Sequence, residues 1–518
     1  MVNATPKRRA LTGVIVLTCM MVSDFVSMTA QAETTLRVAR NAAPPSLGNP
    51  LTSVGQPGSG VWSALFDSLT VIGPSGVLTP GLAESWTLVN DTRWEFKIRP
   101  NVTFHNGAPL TAHSIAAIIE YLKSDAGRRF YVSTEVDTIA AVEVRDDLTL
   151  ALMTTVPDAI LPKRMALISI PEPEAWNTLG PEGFAQTPIG TGPFKLRDWG
   201  QASGRMIFEA FKESWRAPKT IDVLELWTVA DATARVQALL TGQVDVLEAI
   251  SVDDVALVES AGFKVWDFGG GQVSSIAFRT VGNPDSPLQD VRVRQALNYA
   301  VNRALIAEVL FGGRASPASQ GASNGTFGYD PALDPIPYDP ARAKALLNEA
   351  GYGDGFPLTI EVLTGFSTVD TLLYQQVAQD LRAVGVETTV RTPPFASWLR
   401  KFQSNDWGDT DAFSLMWDSG AYADAIRPVR NFSCAKAVPF FCDESVMPAI
   451  EQTDLIMDPD ARKQHLQNVL GMMRETAPAL LLTTVSQRMA SRPNVTVLPL
   501  NPPNIAYHDI ELEAGEKE

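Results

Sequence analysis

The pentapeptide GASNG at 321–325 matches the GxSxG pattern of serine hydrolases, and it is the clearest candidate for catalytic chemistry in the chain. In those enzymes the serine stands on a tight turn between a strand and a helix. Here the pattern lies in a stretch rich in Gly, Ser and Pro, 312–330, with no predicted strand before it. We therefore predict that Ser323 is not a nucleophile.

Histidine is the usual residue for acid–base catalysis and a common metal ligand, and the chain has four, His105, His113, His465 and His508. None has a second histidine four residues away or a cluster of carboxylates at metal-ligand spacing. Neither a phosphate-binding GxxxxGK nor a dinucleotide-binding GxGxxG pattern occurs. The sequence therefore indicates a protein that binds rather than reacts, with no catalytic residues, no cofactor and no metal site.

The N-terminus has the features of an export leader. A basic stub at 7–9 precedes an apolar run at 10–22, which at about 13 residues is too short to span a bilayer. The sequence AQA at 30–32 then offers the small residues that signal peptidase requires. We predict a signal peptide at 1–32, cleaved after Ala32, and hence a periplasmic protein; an uncleaved N-terminal anchor is the alternative.

Three cysteines occur, and Cys434 and Cys442 lie in the predicted mature chain. In an exported protein, two cysteines eight residues apart in a loop are expected to form a disulfide. A buried free pair and a metal site are alternatives, although without a nearby histidine or a CxxC spacing the pair is a poor zinc site. Cys19 follows Thr18 rather than the very small residue expected before a lipidated cysteine, which argues against lipidation.

Length and charge restrict the class of protein. About 486 residues remain after cleavage, more than one hydrophobic core usually supports, so we expect at least two lobes. Removal of a leader with three basic residues and one acidic residue moves the formal charge from −16 to about −18. This acidity argues against a nucleic acid or an anionic membrane as partner.

Hydrophobic periodicity predicts α/β lobes whose sheets are covered by helices. Strand–helix–strand units are indicated at 221–247 and 358–390, with Gly242 and Gly385 where each helix ends. Over 94–104 the apolar residues recur at period two before an Asn-Gly turn, which predicts an antiparallel elaboration.

Capping residues predict three further helices. The first begins after Thr111, and the second runs from Asp290 to Leu310 as one continuous apolar stripe. The third begins at Asp339, with proline in its first turn, and ends at Gly351.

Four ordered blocks resemble the extracytoplasmic solute-binding proteins of the dipeptide, oligopeptide and nickel importers, known as solute-binding family 5. They are LAESW at 82–86 with WEFKIR at 94–99, FHNG at 104–107 and LTA at 110–112; TPIGTGPF at 187–194; VRVRQAL at 291–297 with NR at 302–303; and YDP at 338–340 with ALLNEAGY at 345–352. The blocks spread over about 270 residues, and the resemblance extends over the predicted mature chain.

The resemblance implies a two-lobed periplasmic binding protein of the class II type, with mixed sheets flanked by helices and two hinge strands. The expected parts are lobe one at 33–275 with an extra subdomain at about 60–190, lobe two at 276–486, and a return to lobe one at 487–518. By the same analogy the hinges lie near 274–279 and 482–486. The lobes would close over the solute, bury it, and pair its backbone by strand-like hydrogen bonds.

Peptide-binding members of this family hold the ligand's amino group with an Asp three residues after a Trp, since a buried ammonium needs a paired carboxylate. The corresponding stretch here is MWDSGAYAD at 416–424, in which Trp417 fits and Gly420 stands at the position of that Asp. Asp418 or Asp424 is then the candidate amine partner, unless both are ordinary loop carboxylates.

Further candidates for the binding site follow from position in the family pattern. Trp417 and Tyr422 either line the pocket or belong to the core. Trp62 and the loop at 43–47 are candidates on lobe one. A second pair, Arg427 and Arg430, either binds a ligand carboxylate or forms a solvated face.

The function indicated is the substrate-binding component of an ABC import system that captures a small, peptide-like solute and delivers it to a membrane permease with its ATPase subunits. We expect a monomer. A receptor for an opine, a metal chelate, haem or an oligosaccharide is the alternative within this class. A periplasmic hydrolase or chaperone is the alternative from another class.

Overall fold

The computed structural model of the chain describes residues 1–2, 33–53, 57–73, 77–364, 369–497, 500–501 and 504–513. The described residues from Thr34 onward form one compact unit. The predicted signal peptide and its cleavage site therefore lie almost entirely outside the described residues. Within the described ranges, no helix combines the length and the apolar character needed to cross a membrane.

Strands and helices alternate along much of the chain. The strands are β1 Thr35–Arg40, β2 Thr70–Ile72, β3 Leu78–Pro80, β4 Ala83–Asn90, β5 Arg93–Ile98, β6 Ile139–Asp146, β7 Thr149–Thr154, β8 Phe194–Asp198, β9 Arg205–Ala210, β10 Val223–Thr228, β11 Val246–Glu248, β12 Lys264–Phe278, β13 Phe356–Glu361, β14 Val386–Arg391, β15 Ala412–Ser414, β16 Trp417–Asp418, β17 Ala479–Ser491, β18 Val495–Val497, β19 Leu500–Asn501, β20 Asn504–Ile505 and β21 Glu511–Leu512.

Helices lie between many of these strands along the chain. They are α1 Gly58–Leu65, α2 Ala112–Lys123, α3 Leu161–Arg164, α4 Pro173–Gln186, α5 Ala232–Leu240, α6 Val252–Ser260, α7 Val291–Ala300, α8 Arg303–Phe311, α9 Pro340–Glu349, α10 Asp370–Arg382, α11 Phe395–Ser404, α12 Ile426–Asn431, α13 Met447–Gln452 and α14 Pro459–Thr476.

The main sheet has the strand order β14-β13-β15-β12-β17-β11-β1-β10-β9-β8, and β16 pairs with β12 beside this path. β1 is parallel to β10 and β11, and β13 is parallel to β14 and β15. The remaining pairs are antiparallel. This confirms the predicted α/β class with mixed sheets flanked by helices.

Two long antiparallel strands, β12 and β17, connect the two parts of the sheet. Their pairing loses register between Gly269 and Gln272, opposite Val485 and Ser486. On one side of this pair lie β13 to β16, and on the other lie β1 and β8 to β11; we call these the second and the first half of the fold. The first half also includes β4 to β7, helices α1 to α4 and the segment after β17, because buried residues of these parts share one hydrophobic core with β1 and β10. The register shifts a second time between Val273 and Ser275, opposite Thr484 and Leu481. The two irregularities therefore overlap the predicted hinges at 482–486 and 274–279, while the hinges themselves and the lobe boundaries stay predictions.

The antiparallel elaboration expected around 94–104 is a separate four-stranded sheet, β4-β5-β7-β6. Helix α2 packs on it, and its inner face is the buried row Ile115, Ile118, Ile119 and Leu122. Thr111 and Ser114 form a capping box at its first turn, as expected for a helix that begins after this threonine.

The predicted helix from Asp290 to Leu310 is wrong in one respect, because it is two helices. The first ends at Ala300, and Asn302 starts α8 by accepting a hydrogen bond from the backbone N–H of Leu305. The apolar stripe continues through the break, but Leu305 and Val309 are 45% and 66% exposed. Periodicity alone did not reveal the break, because an asparagine cap inside a continuous stripe looks like a surface position.

Candidate functional site

A cavity of about 280 Å³ lies in the first half of the fold, where α1, the loop before it, and the C-terminal segment meet. Its volume is close to the lower end of the range of small-molecule pockets, which begins at about 300 Å³. The lining residues include aromatic side chains, residues with hydroxyl groups, two aspartates, one arginine and one histidine. Ala421 lines the cavity from the second half of the fold. The lining residues from the first half include Ser59, Trp62, Asp67, Trp215, Arg216, His508 and Asp509.

Trp62 forms one wall of the cavity and is held in place at both ends of its ring system. Its indole Nε1 donates a hydrogen bond to the carbonyl of Leu47 at 2.8 Å, which ties it to the loop predicted at 43–47. The ring packs so closely on Gly58 that a Cβ there would lie 2.4 Å from Trp62 Cη2. The structure thus places predicted residue Trp62 on the cavity, while its role in binding stays a prediction.

A buried ion pair between Asp67 and Arg216 forms the floor of the cavity. Asp67 accepts hydrogen bonds from Thr191 Oγ1 at 2.7 Å and Trp215 Nε1 at 3.0 Å, and Arg216 Nε lies 2.5 Å from its other oxygen. Arg216 Nη2 donates to the carbonyls of Ser63 and Phe66. Both charged groups are therefore engaged within the protein, which makes the pair part of the framework of the cavity.

His508 is uncharged, and its proton position follows from its contacts. The pKa of His508 is lowered to about 3, mainly by burial and secondly by the nearby Arg216 guanidinium. Because Arg216 Nη1 donates to His508 Nδ1 at 3.1 Å, the ring proton lies on Nε2, which is 3.4 Å from the carboxylate of Asp509. The nitrogen nearest to the Asp509 carboxylate thus belongs to a neutral ring rather than to a cation.

Trp417 and Tyr422 do not line the cavity in the structure. Trp417 is 2% exposed and stacks on Phe432, with ring centroids 4.1 Å apart. Tyr422 is also buried, and its hydroxyl donates to Glu135 Oε2 at 2.7 Å, a residue of the four-stranded-sheet region. Both side chains are buried in this structure, and Tyr422 also joins the two halves of the fold. A contact of either ring with a solute stays a prediction.

Asp424 lies in a fully buried ion-pair network. Its carboxylate contacts Lys163 Nζ at 2.9 Å and Arg462 Nη1 at 2.8 Å. Burial alone would raise the pKa of Asp424, but the two cations together lower it below its ordinary value. Its carboxylate is therefore already neutralised, and an incoming ammonium would have to displace one of these partners.

Asp418 has a different environment, since its side chain is 41% exposed. It accepts a hydrogen bond from the backbone N–H of Gly420 at 2.9 Å, and Arg427 Nη1 lies 3.5 Å from its other oxygen. The second predicted arginine, Arg430, contacts Asp454 at 2.6 Å. All three groups have partners within the chain, and their predicted roles toward a ligand remain untested.

The GASNG stretch at 321–325 consists of bends and turns, with neither a strand before it nor a helix after it. It packs against the core, because a Cβ on Gly321 would lie 2.0 Å from Trp417 Cε3. This is not the strand-to-helix elbow that a hydrolase serine requires. In the described part of the chain, no group of three His, Cys, Asp or Glu residues is placed to hold a metal ion.

Cys434 and Cys442 form a disulfide, with Cα atoms 4.5 Å apart, which confirms the predicted pairing. The bridge closes a loop between α12 and α13 in the second half of the fold.

Four residues on the cavity wall escaped the sequence analysis: Asp67, Arg216, His508 and Asp509. Asp67 and Arg216 are separated by 149 positions, and Arg216 and His508 by 292. None belongs to a short motif with a recognised chemistry, so no spacing rule could have brought them together. His508 was noted only as one of four isolated histidines.

The fold and the cavity define a two-part α/β binding protein, and comparison with known proteins agrees. The bacterial extracellular solute-binding proteins, family 5 Middle, match residues 77–438, which is more than half of the chain. The protein therefore belongs to the bacterial extracellular solute-binding proteins of family 5, as the four sequence blocks indicated.

Two relatives illustrate the range of this similarity. The dipeptide-binding protein of Escherichia coli (strain K12) is 27% identical over 449 residues, which are 79% of this chain and 81% of that protein. The glutathione-binding protein GsiB of Pectobacterium atrosepticum is 31% identical over 322 residues, and the match spans 60% of each chain.

Solved structures share the fold at lower sequence identity. HbpA2 from Haemophilus parasuis has a TM-score of 0.81 at 22% identity, over 93% of this chain and 100% of that one. The ABC transporter-associated periplasmic binding protein DppA from Helicobacter pylori, in complex with the peptide STSA, has a TM-score of 0.76 at 20% identity, over 93% and 99%.

Proposed function

We propose that the protein is the exported substrate-binding component of an ABC importer, which captures a small solute and passes it to a membrane permease and its ATPase subunits. In this role it is a receptor and not an enzyme. The observation that carries the proposal is the position of the cavity: its wall is built by the first half of the fold, and Ala421 reaches it from the second half.

This position matters because, among the described strands of the main sheet, β12 and β17 alone pass between its two halves. A solute in the cavity can therefore contact both halves at once and favour the arrangement in which they are together. Such a coupling of occupancy to shape is what a membrane permease needs in order to recognise the loaded receptor.

A peptide-like solute is the cargo that we propose. Support comes from the E. coli dipeptide-binding protein, matched over 81% of its length, and from the fold shared with a protein bound to the peptide STSA. The cavity of about 280 Å³ suits a short peptide or a modified amino acid better than a long chain.

A ligand panel tests this proposal. Purified protein is screened by thermal unfolding against dipeptides, tripeptides, glutathione, opines, haem, nickel–histidine and sugars, and hits are quantified by titration calorimetry. A solute at 100 times its Kd should stabilise the protein by about 2.7 kcal/mol. We expect a peptide-like hit that mass spectrometry recovers unchanged. Hydrolysis of the solute that persists through further purification would contradict a receptor role.

Export is tested on the same preparation. N-terminal sequencing of protein from the periplasmic fraction should begin at Glu33 if the signal peptide at 1–32 is removed. An N-terminus at Met1 in the membrane fraction would show a retained anchor instead. Light scattering on the periplasmic protein should give the mass of a monomer.

A further inference from the structure

The carboxylate of Asp509 has no cationic partner in the part of the chain that the structure describes. Its one charged or ring-nitrogen neighbour within 4.0 Å is His508 Nε2, at 3.4 Å. His508 is a neutral ring at pH 7, because burial lowers its pKa to about 3. This neighbour carries no charge, so among the described residues no cationic side chain lies within 4.0 Å of the Asp509 carboxylate.

The charge of the cavity as a whole is consequently negative. Of the residues that the structure describes, three charged side chains line it, and two of them, Asp67 and Arg216, neutralise each other. Asp509 contributes the remaining charge. A cavity with a net negative charge favours a solute that presents a positive group there.

Asp509 is also held in a defined position. It ends a short 3-10 helix, Tyr507–Asp509, whose first residue is buried and donates from its hydroxyl to Glu248 Oε1 at 2.8 Å. The backbone N–H of Asp509 donates to the carbonyl of Ala506. Half of the Asp509 side chain remains exposed, so the carboxylate is accessible to a ligand without rearrangement of the backbone.

Other groups on the same wall suit an ammonium ion. Ser59 lines the cavity, and its buried Oγ has no hydrogen-bond partner among the described residues. Trp62 lines the cavity as well, and an indole ring can stabilise a nearby cation. By contrast, the carboxylates of Asp418 and Asp424 in the second half of the fold already have arginine or lysine partners.

We propose that Asp509 is the ion partner of a primary ammonium group of the solute, and that the cavity accordingly takes a compact solute with a free amine. This inference rests on the proposed receptor function and specifies its solute. It places the amine-binding carboxylate on the C-terminal segment, in the first half of the fold, rather than in the stretch at 416–424.

The test compares free and blocked amines on matched variants. Titration calorimetry measures binding of the panel dipeptides and glutathione, each with its N-acetylated form, to wild type, Asp509→Asn and Asp509→Glu. Glu143→Gln is the control, since it removes another half-exposed carboxylate that lies outside the cavity, and thermal unfolding verifies that every variant is folded. We expect acetylation to weaken binding to wild type, and Asp509→Asn to raise Kd for free amines about 10- to 100-fold.

The variants should also agree with one another. Asp509→Asn should leave the affinity for any acetylated probe that binds unchanged, Asp509→Glu should recover most of the affinity for free amines, and Glu143→Gln should behave as wild type. Equal affinity of Asp509→Asn and wild type for free amines overturns the inference, and so does equal affinity of wild type for free and acetylated probes. If wild type binds only panel solutes that lack an amine, the inference falls while the receptor function stands. If wild type binds no panel solute, both fall.

Discussion

Lys163 Nζ lies 2.9 Å from Asp424 Oδ2, and this contact joins helix α3 to the second half of the fold. Arg462 holds the same carboxylate from within the second half. Nearby, Tyr422 donates to Glu135 across the same boundary. Buried charges thus make part of the contact between the two halves. The desolvation free energy of each buried charge is offset only when its partner is present.

Replacement of Lys163 tests whether this contact favours the state in which the halves are together. In Lys163→Met, Asp424 keeps Arg462, so the second half should stay folded while the state with both halves in contact loses about 1–3 kcal/mol. We expect calorimetry to show an affinity for solute about tenfold or more weaker. Lys212→Met is the control, because the Lys212 pair with Asp222 is largely exposed. Equal affinities of the two variants would show that the contact does not contribute to closure.

Glu135 should make stability depend on pH in the opposite direction to an ordinary carboxylate. Burial raises the pKa of Glu135 above its ordinary value, against the opposing effects of the Tyr422 hydrogen bond and Arg164. Because the folded pKa exceeds the unfolded one, its contribution to stability is complete below about pH 4.5 and is lost as the pH rises through the folded value. In Glu135→Gln this loss is absent, so its melting temperature should match wild type near pH 4 and exceed it at pH 8.

Glu143 provides the matched control for that measurement. A hydrogen bond from Arg93 lowers the pKa of this exposed residue, so its contribution is present above the ordinary pKa and lost as the pH falls. Glu143→Gln should therefore show no gain at pH 8. A gap between Glu135→Gln and wild type that stays constant from pH 4 to pH 8 would contradict the assigned cause.

Gly321 should not tolerate a side chain. A Cβ at this position would lie 2.0 Å from Trp417 Cε3, and the Trp417 ring cannot move away because it stacks on Phe432. We expect Gly321→Ala to lower the free energy of unfolding by about 1–3 kcal/mol in urea denaturation. Gly471 lies inside α14 with open space around it, so Gly471→Ala should be neutral or stabilise by up to about 1 kcal/mol. A similar effect at both positions would argue against the close packing of Gly321 on the ring.

The disulfide should contribute to the stability of the second half of the fold. Cys434 and Cys442 are eight positions apart. Closing a loop of this size lowers the conformational entropy of the unfolded chain and thereby stabilises the folded protein by about 2–3 kcal/mol. The double variant Cys434→Ser, Cys442→Ser should lose this amount in urea denaturation, and added reductant should then have no effect on it. Reductant sensitivity that persists in the double variant would mean that the measured effect is not due to this bridge.

Local elements followed from the sequence wherever a pattern and a cap agreed. The helix after Asp339 begins at Pro340, and the strand–helix–strand unit around α10 turns at Gly385, whose φ is +97°. These features depend on neighbours within a few positions, through capping hydrogen bonds and the left-handed backbone that glycine accepts. The break at Asn302 was missed because one cap interrupts an otherwise uninterrupted apolar stripe.

The sequence by itself indicated the class of protein, the α/β elements and the disulfide, and it made Trp62 a candidate for the binding site. Only the tertiary structure decided which charges are free. It pairs Asp424 with Lys163, 261 positions away, and leaves Asp509 beside a neutral histidine. The physical reason is that the state of a carboxylate depends on burial and on charges a few ångströms away in space, and folding brings these from distant parts of the chain.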